Sequence, residues 1–350
     1  MRSHYLDQKI DRSIQVGGKE YLFFSGTSYL GIGAVASYQE ILLENIRKLG
    51  FHHGLSRVNN VRLQVFEEFE TSFAENAGAE TSAVMSSGYL AGIAAWQWLY
   101  PQQDICWIAP DIHPAILPSE IKPEIQLNFV QWKKQCLELS EQLSPQRIFI
   151  IGNAVDPLRV EIHEYSWVNE IAKKHEVTLL IDDSHAFGTI GSSIFGTYSM
   201  NLESSFNLVV SGSLGKGLAL PAGIILGNRK TIQGIKSQPI FTSASPSSPA
   251  NLQTFLETQP LYMQQFQKSH QLTELFYSKI QDLSTLNGRR DFPIFRYLNS
   301  HWAETLEQEG FITSSFSYPL PDSPKVNRIV ISGFHQIEDL ESLSLVLHQF

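Results

Sequence analysis

The sequence predicts an α/β protein: a mostly parallel sheet covered by helices on both faces, followed by a smaller C-terminal α/β layer. Three observations carry this. Short apolar, β-branched runs recur between residues 81 and 226 and end at glycine or at carboxylates. Helical stretches lie between them. After about residue 230 the texture changes to a long helical stretch and a few short strand candidates. The expected organisation is an N-terminal segment over 1–40, a large domain over 41–235 and a small C-terminal domain over 236–350.

In chain order, 37–49 and 63–76 read as amphipathic helices, the second with Val65, Phe66, Phe69 and Phe73 at helical spacing. Residues 81–85 form a short apolar strand, stopped by Ser86-Ser87-Gly88, and a helix runs from there through Trp98. Residues 104–108, 125–129 and 147–151 read as strands, the last bounded by Gly152, and 164–175 reads as a helix. Strands follow at 177–181, ending in two aspartates, at 208–211, ending at Gly212, and at 222–226, ending at Gly227. Residues 249–283 read as one long helical stretch containing Pro260, 328–332 as a strand and 337–347 as the final helix.

Composition narrows the function classes. With 350 residues and 43% hydrophobic, the chain is too apolar for disorder and can bury one large domain or two joined ones. A net charge of −9, with no basic run longer than Lys173-Lys174 or Arg289-Arg290, argues against nucleic acid. Cys106 and Cys136 cannot build a disulfide framework or a four-thiolate metal site, and read as buried reduced thiols. No run reaches the roughly 18 apolar residues of a membrane span. Residues 1–16 hold no apolar signal core, so a cytoplasmic protein is expected.

Four segments carry candidate chemistry. In Ser211-Gly212-Ser213-Leu214-Gly215-Lys216-Gly217 a lysine sits in a small-residue loop after a strand, where a desolvated amine becomes a nucleophile; a surface lysine in a turn is the plainer alternative. The Walker spacing is absent there. In Asp182-Asp183-Ser184-His185 a carboxylate stands at the carboxyl end of a strand, where open α/β sheets hold ligands. A metal site or a capping aspartate would use the same residue types. Ser86-Ser87-Gly88-Tyr89 opens a helix whose free amides can attract phosphate or serve only as an N-terminus. His113, in Asp111-Ile112-His113-Pro114, can stack on a planar ring or satisfy a structural role. Taken together, a phosphate cradle, a ring-stacking histidine, a carboxylate and a lysine, each after a strand of one sheet, describe a pyridoxal-phosphate site.

From about Tyr21 to His335 the chain resembles the α-oxoamine synthase family of fold-type-I pyridoxal-phosphate enzymes. That group includes 8-amino-7-oxononanoate synthase, 2-amino-3-ketobutyrate CoA ligase, 5-aminolevulinate synthase and serine palmitoyltransferase. The matching stretches are Tyr29-Leu30-Gly31, Gly54-Leu55-Ser56-Arg57, 86–91, 182–188, 213–217, Phe241-Thr242-Ser243 and 328–332. Residues 182–188 and 213–217 are the most specific of these.

The resemblance implies a large domain with a seven-stranded-type, mostly parallel sheet and a small C-terminal domain. It implies that Lys216 holds the cofactor as a Schiff base and later moves protons at the substrate α-carbon. Asp182 would pair with the pyridine nitrogen, His185 with the phenolic oxygen, and His113 would stack on the ring. The amides of Gly88 and Tyr89 and the hydroxyl of Ser213 would hold the phosphate. Thr242 and Ser243 would reach the phosphate of a neighbouring subunit, making a homodimer with shared sites. Arg328 would pair with the substrate α-carboxylate. The implied reaction condenses an amino acid with an acyl-CoA or other acyl thioester, releasing carbon dioxide and forming an α-oxoamine, as in 8-amino-7-oxononanoate synthase.

The chain departs from the family pattern at several points. About twenty residues precede the strand at 21–25, where relatives carry a longer helix. Thr27-Ser28 replaces an Asn-Asp pair, Pro157 replaces a serine near the cofactor, and Phe51-His52-His53-Gly54-Leu55 replaces a glycine-rich approach. An aminotransferase or a decarboxylase on the same scaffold is the alternative reaction, and a non-catalytic relative that binds the cofactor for structure is the third.

Overall fold

The computed structural model describes residues 4–118, 121, 127–299, 301–318 and 322–350. Two six-stranded sheets organise these residues. The central sheet runs in the order Thr81–Met85, Gly223–Gly227, Asn207–Ser213, Glu176–Asp182, Arg147–Asn153 and Ile105–Ile108. Its last four strands are mutually parallel, and Gly223–Gly227 runs antiparallel to both of its neighbours. Isoleucine, leucine and valine bury both faces of these strands, as a parallel sheet flanked by helices requires. The expectation was a seven-stranded type; six strands pair among the described residues.

Most predicted elements stand within two residues of their expected bounds; the strand expected at 328–332 is Lys325–Val330, beginning three residues earlier, and three others differ for identifiable reasons. Residues 164–175 give only the short helix Val168–Ala172. Before it, Val168 N donates to Tyr165 O and Trp167 Nε1 to Glu164 O, so the chain turns to bury both aromatic rings. The 249–283 stretch is two helices, Pro249–Glu257 and Gln259–Ile280, broken at Thr258. Pro260 has no amide proton and therefore sits in the first turn of the second helix. Of the strand expected at 125–129, residues 125 and 126 lie outside the described residues. Phe129 instead begins the helix Phe129–Gln142, started by a reciprocal Asn128–Gln131 capping box.

The outer sheet joins both ends of the chain. Its order is Ser13–Val16, Lys19–Phe24, Phe311–Ser317, Lys325–Val330, Phe292–Tyr297 and Leu286–Arg289. Lys19–Phe24 pairs in parallel with Phe311–Ser317, and the remaining neighbours are antiparallel. Its buried side chains pack with the helices Gln259–Ile280 and Ile337–Leu347. Phe69, Phe73, Phe187, Phe195 and Phe255 stack and meet edge-to-face beneath the central sheet, and Leu252, Phe255, Tyr262 and Phe266 belong to that same core. No helix among the described residues is long and apolar enough to cross a membrane.

The turn 28–31 lies where these two halves meet. Ser332 Oγ donates to Ser28 O at 2.5 Å, Gly333 N to Tyr29 O at 2.9 Å, and Ser269 Oγ also to Tyr29 O. Gly31 has φ +61, and a Cβ there would stand 2.7 Å from Phe334 N, so only glycine lets the two backbones approach this closely.

Candidate active site

The parallel strands deliver their functional groups at their carboxyl ends. Asp182 closes Glu176–Asp182 and pairs in register with Asn153 on one side and Ser211 on the other. Its Oδ1 accepts the amide of Ser184, which turns the chain toward His185. The neighbouring strand ends at Ser213, whose amide donates to Ser184 Oγ at 2.8 Å, and Lys216 follows in the loop. Two residues before Lys216 the loop closes by Leu214 N donating to Ala222 O. Gly217 is required beside Lys216, because a Cβ there would run into Phe187 O.

Lys216 Nζ lies 2.9 Å from His185 Nε2, and His185 Nδ1 lies 2.7 Å from the Tyr29 hydroxyl. Burial lowers the Lys216 amine to about 8; Arg328 pushes the same way and Asp182 opposes it. Burial, Lys216, Arg328 and His113 hold His185 well below its ordinary value, so the imidazole is neutral. A neutral imidazole that accepts from Lys216 at Nε2 carries its proton on Nδ1 and donates it to Tyr29 Oη. The Tyr29 phenol, completely buried, is raised and keeps its own proton.

The phosphate-binding expectation has a clear backbone basis. Ser87 Oγ accepts the Leu90 amide and caps Gly88–Leu99, a helix of twelve residues. The first amides of a helix have no intrahelical acceptor, so those of Gly88 and Tyr89 open toward an anion. A Cβ on Gly88 would stand 2.5–2.6 Å from Ser213 Cβ, Cα and N. The helix start therefore rests directly on the residue three positions before Lys216.

His113 is held from two sides. Its amide donates to Asn153 Oδ1 at 3.3 Å, Asn153 Nδ2 donates to Asp111 O, and Asp111 Oδ2 pairs with the buried His163 at 2.6 Å. Its Nε2 lies 2.5 Å from the Tyr318 hydroxyl. Burial and Lys216 lower the His113 imidazole while Asp182 opposes them, which places the ring within the field of both groups. Arg328 is 8% exposed, and its Nε has no hydrogen-bond partner among the described residues. Its guanidinium lies 5.7 Å from the Phe316 ring.

The structure thus gathers Lys216, His185, Asp182, His113 and Arg328 around one point, with Gly88, Tyr89 and Ser213 beside it. It does not bring Thr242 and Ser243 there within one chain. Thr242 Oγ1 donates back to Pro239 O in its own turn, and Ser243 is exposed. Both Asp183 oxygens accept from Thr197, one from its amide and one from Oγ1, so this carboxylate braces the turn at 197. Burial raises Asp183 to about 7. Tyr29 and Tyr318 were not singled out as site residues. Tyr29 lay in a motif that matched without a role, and no local signal pointed to Tyr318.

The donor set fits pyridoxal phosphate. A lysine amine of lowered pKa, a helix N-terminus against its loop, a carboxylate at the strand end and a buried guanidinium with an open donor supply the four recognition elements. A family model described as aminotransferase class I and II matches residues 30–341. The chain belongs to that family. Its relatives place it on the α-oxoamine synthase side. The 8-amino-7-oxononanoate synthase of Petrotoga mobilis is 26% identical over 346 residues, covering 94% of this chain and 88% of the relative.

Solved structures agree on the architecture. A serine palmitoyltransferase from S. paucimobilis, solved with bound PLP–myriocin aldimine, superposes with a TM-score of 0.82 at 15% identity, covering 99% of this chain and 92% of that one. The 8-amino-7-oxononanoate synthase of Francisella tularensis superposes with a TM-score of 0.72 at 18% identity, covering 94% and 97%. These neighbours give this aminotransferase-family chain the fold-type-I transferase architecture, and its family and curated relatives make it a transferase of the α-oxoamine synthase type.

Proposed function

We propose that this chain condenses an amino acid with an acyl thioester, releasing carbon dioxide and forming an α-oxoamine, in the manner of 8-amino-7-oxononanoate synthase. The observation that carries the reading is the half-buried Lys216 amine, lowered to about 8, in contact with His185 and in the field of Asp182 and Arg328. Pyridoxal phosphate supplies the electron sink that makes the substrate α-carbon acidic.

The chain's own residues bind, orient and move protons. Lys216 attaches the cofactor, and its Nζ takes the proton from the substrate α-carbon as general base, a task suited to an amine titrating near neutrality. Asp182 keeps the ring nitrogen protonated, His185 holds the phenolic oxygen and His113 covers the ring face. Gly88 and Tyr89 amides and the Ser213 hydroxyl hold the phosphate. The Arg328 guanidinium, buried with an open Nε donor, receives the substrate carboxylate as a planar fork. Thr242 and Ser243 serve the phosphate of a second copy in a homodimer, which supports two shared sites. The protein works in the cytoplasm on these small molecules.

The test is a panel of glycine, alanine and serine with acyl-CoAs of several chain lengths, followed by free thiol. Thiol release that needs pyridoxal phosphate and one substrate pair is expected. Amino transfer to a keto acid without thiol release would refute the condensation and leave the aminotransferase reading.

A further inference from the structure

We propose that Tyr318 is a positioning residue for His113: its hydroxyl sets the plane and the tautomer of the imidazole beside Lys216 and Asp182. The contact is short, with Tyr318 Oη 2.5 Å from His113 Nε2, and the rings are tilted by 39° with centroids 6.0 Å apart. The hydroxyl meets the one ring nitrogen, while Asn153 fixes the His113 backbone through its amide on another element. Backbone and ring are thus anchored from two different sheets.

The direction of the hydrogen bond follows from the surroundings. Burial raises the Tyr318 phenol, so it keeps its proton. Burial and the Lys216 charge keep His113 neutral. A neutral imidazole nitrogen is a stronger acceptor than a phenol oxygen, so Tyr318 donates to Nε2 and the imidazole proton resides on Nδ1. Tyr318, Asp182, Lys216 and His185 act on His113 from one cluster.

Tyr318 also ties His113 to the substrate anchor. It follows the strand Phe311–Ser317, whose Phe316 ring lies against the Arg328 guanidinium and meets the Tyr318 ring edge-on at 6.4 Å. Arg328 and Asp182 both act on the Tyr318 phenol. One strand end therefore sets Arg328 and His113 relative to each other. What this alignment does for catalysis rests on the function proposed above; the tautomer assignment does not.

The experiment uses the full chain with 15N-labelled histidine, following the His113 ring nitrogens by long-range 15N–1H NMR from pH 5 to 9. Wild type is expected to show an unprotonated Nε2 and a protonated Nδ1. In Tyr318→Phe the tautomers mix, and the His113 pKa rises by about half to one unit, as loss of one hydrogen bond to the neutral form requires. Tyr318→Leu should titrate like Tyr318→Phe. A wild-type Nε2–H tautomer overturns the proposal. So does a Phe variant that titrates like wild type while Leu alone departs, because packing would then be the cause. Should the variants fail to fold, the wild-type tautomer still decides. A wild-type chain that takes up no pyridoxal phosphate refutes the proposed function and leaves this measurement intact in the unloaded protein.

Discussion

Protonating His335 should loosen the turn that carries Tyr29, and the effect can be sized. His335 is 0% exposed and stacks on Phe24 at 4.1 Å with 13° between the rings. Its Nδ1 accepts the Ser332 amide at 3.0 Å and its Nε2 donates to Phe23 O at 3.0 Å. Both nitrogens are committed to the neutral form, and a second proton would face the Ser332 N–H. Burial, the largest influence, lowers the imidazole to about 4 from 6.5. Between pH 6.5 and 4 the unfolded chain therefore binds more protons than the native one. Stability is fully present above pH 6.5 and falls as the pH drops toward 4. The drop in pKa corresponds to about 3 kcal/mol. Urea unfolding of wild type and His335→Gln, at intervals from pH 7.5 to 4, measures it. The variant is less stable at pH 7, and the gap should close by most of that amount at pH 4. Other buried histidines contribute equally to both chains and cancel in the difference. Parallel stability curves would refute the reasoning.

Three further outcomes are expected at the site. Lys216→Ala should abolish the visible absorption band that borohydride removes from the loaded protein; a surviving band would mean another lysine carries the cofactor. Gly88→Ala drives a Cβ to within 2.6 Å of the Ser213 backbone, so a loss of about 1–3 kcal/mol and at least a tenfold weaker pyridoxal-phosphate Kd are expected; equilibrium dialysis showing wild-type affinity would count against the phosphate assignment. Arg328→Ala removes the charge that helps lower Lys216, so the Lys216 amine should titrate higher in the unloaded protein, measured by its reactivity with an amine-selective reagent across pH, and the amino-acid KM should rise by tenfold or more. An unchanged KM would place the substrate carboxylate elsewhere.

The central sheet was readable because each of its strands is a short apolar run with a local stop. Asp182, His185 and Lys216 were readable because they sit immediately after such runs, where a parallel sheet presents ligand groups. What escaped was non-local. Tyr29 meets His185 across 156 residues and Tyr318 meets His113 across 205, so no window of sequence contains either pair. The 164–175 stretch carries a helical pattern, and the burial of Tyr165 and Trp167 overrides it. The capping box at Asn128 gives no signal of its own because its helix begins inside the strand-like pattern of 125–129. Glu70 gave no signal either. Buried at 4% exposure, it pairs with Arg57 at 2.9 Å and with Lys236 at 2.7 Å, and so ties three distant segments together.

The parallel pairing of Lys19–Phe24 with Phe311–Ser317 imposes a timetable on synthesis. Ser13–Val16 and Lys19–Phe24 can pair with each other at once, but Lys19–Phe24 leaves the ribosome long before Phe311–Ser317, the strand on its other side. The central sheet, complete by Gly227, can collapse much earlier around its own apolar core. Tyr29, held by Ser332 and Gly333, takes its place against His185 only once those two residues have been made. A nascent chain halted before residue 311 would carry Lys216 on a formed loop with its histidine partner unsupported. Reactivity of that lysine therefore matures after the sheet that bears it, once residues 332 and 333 are in place.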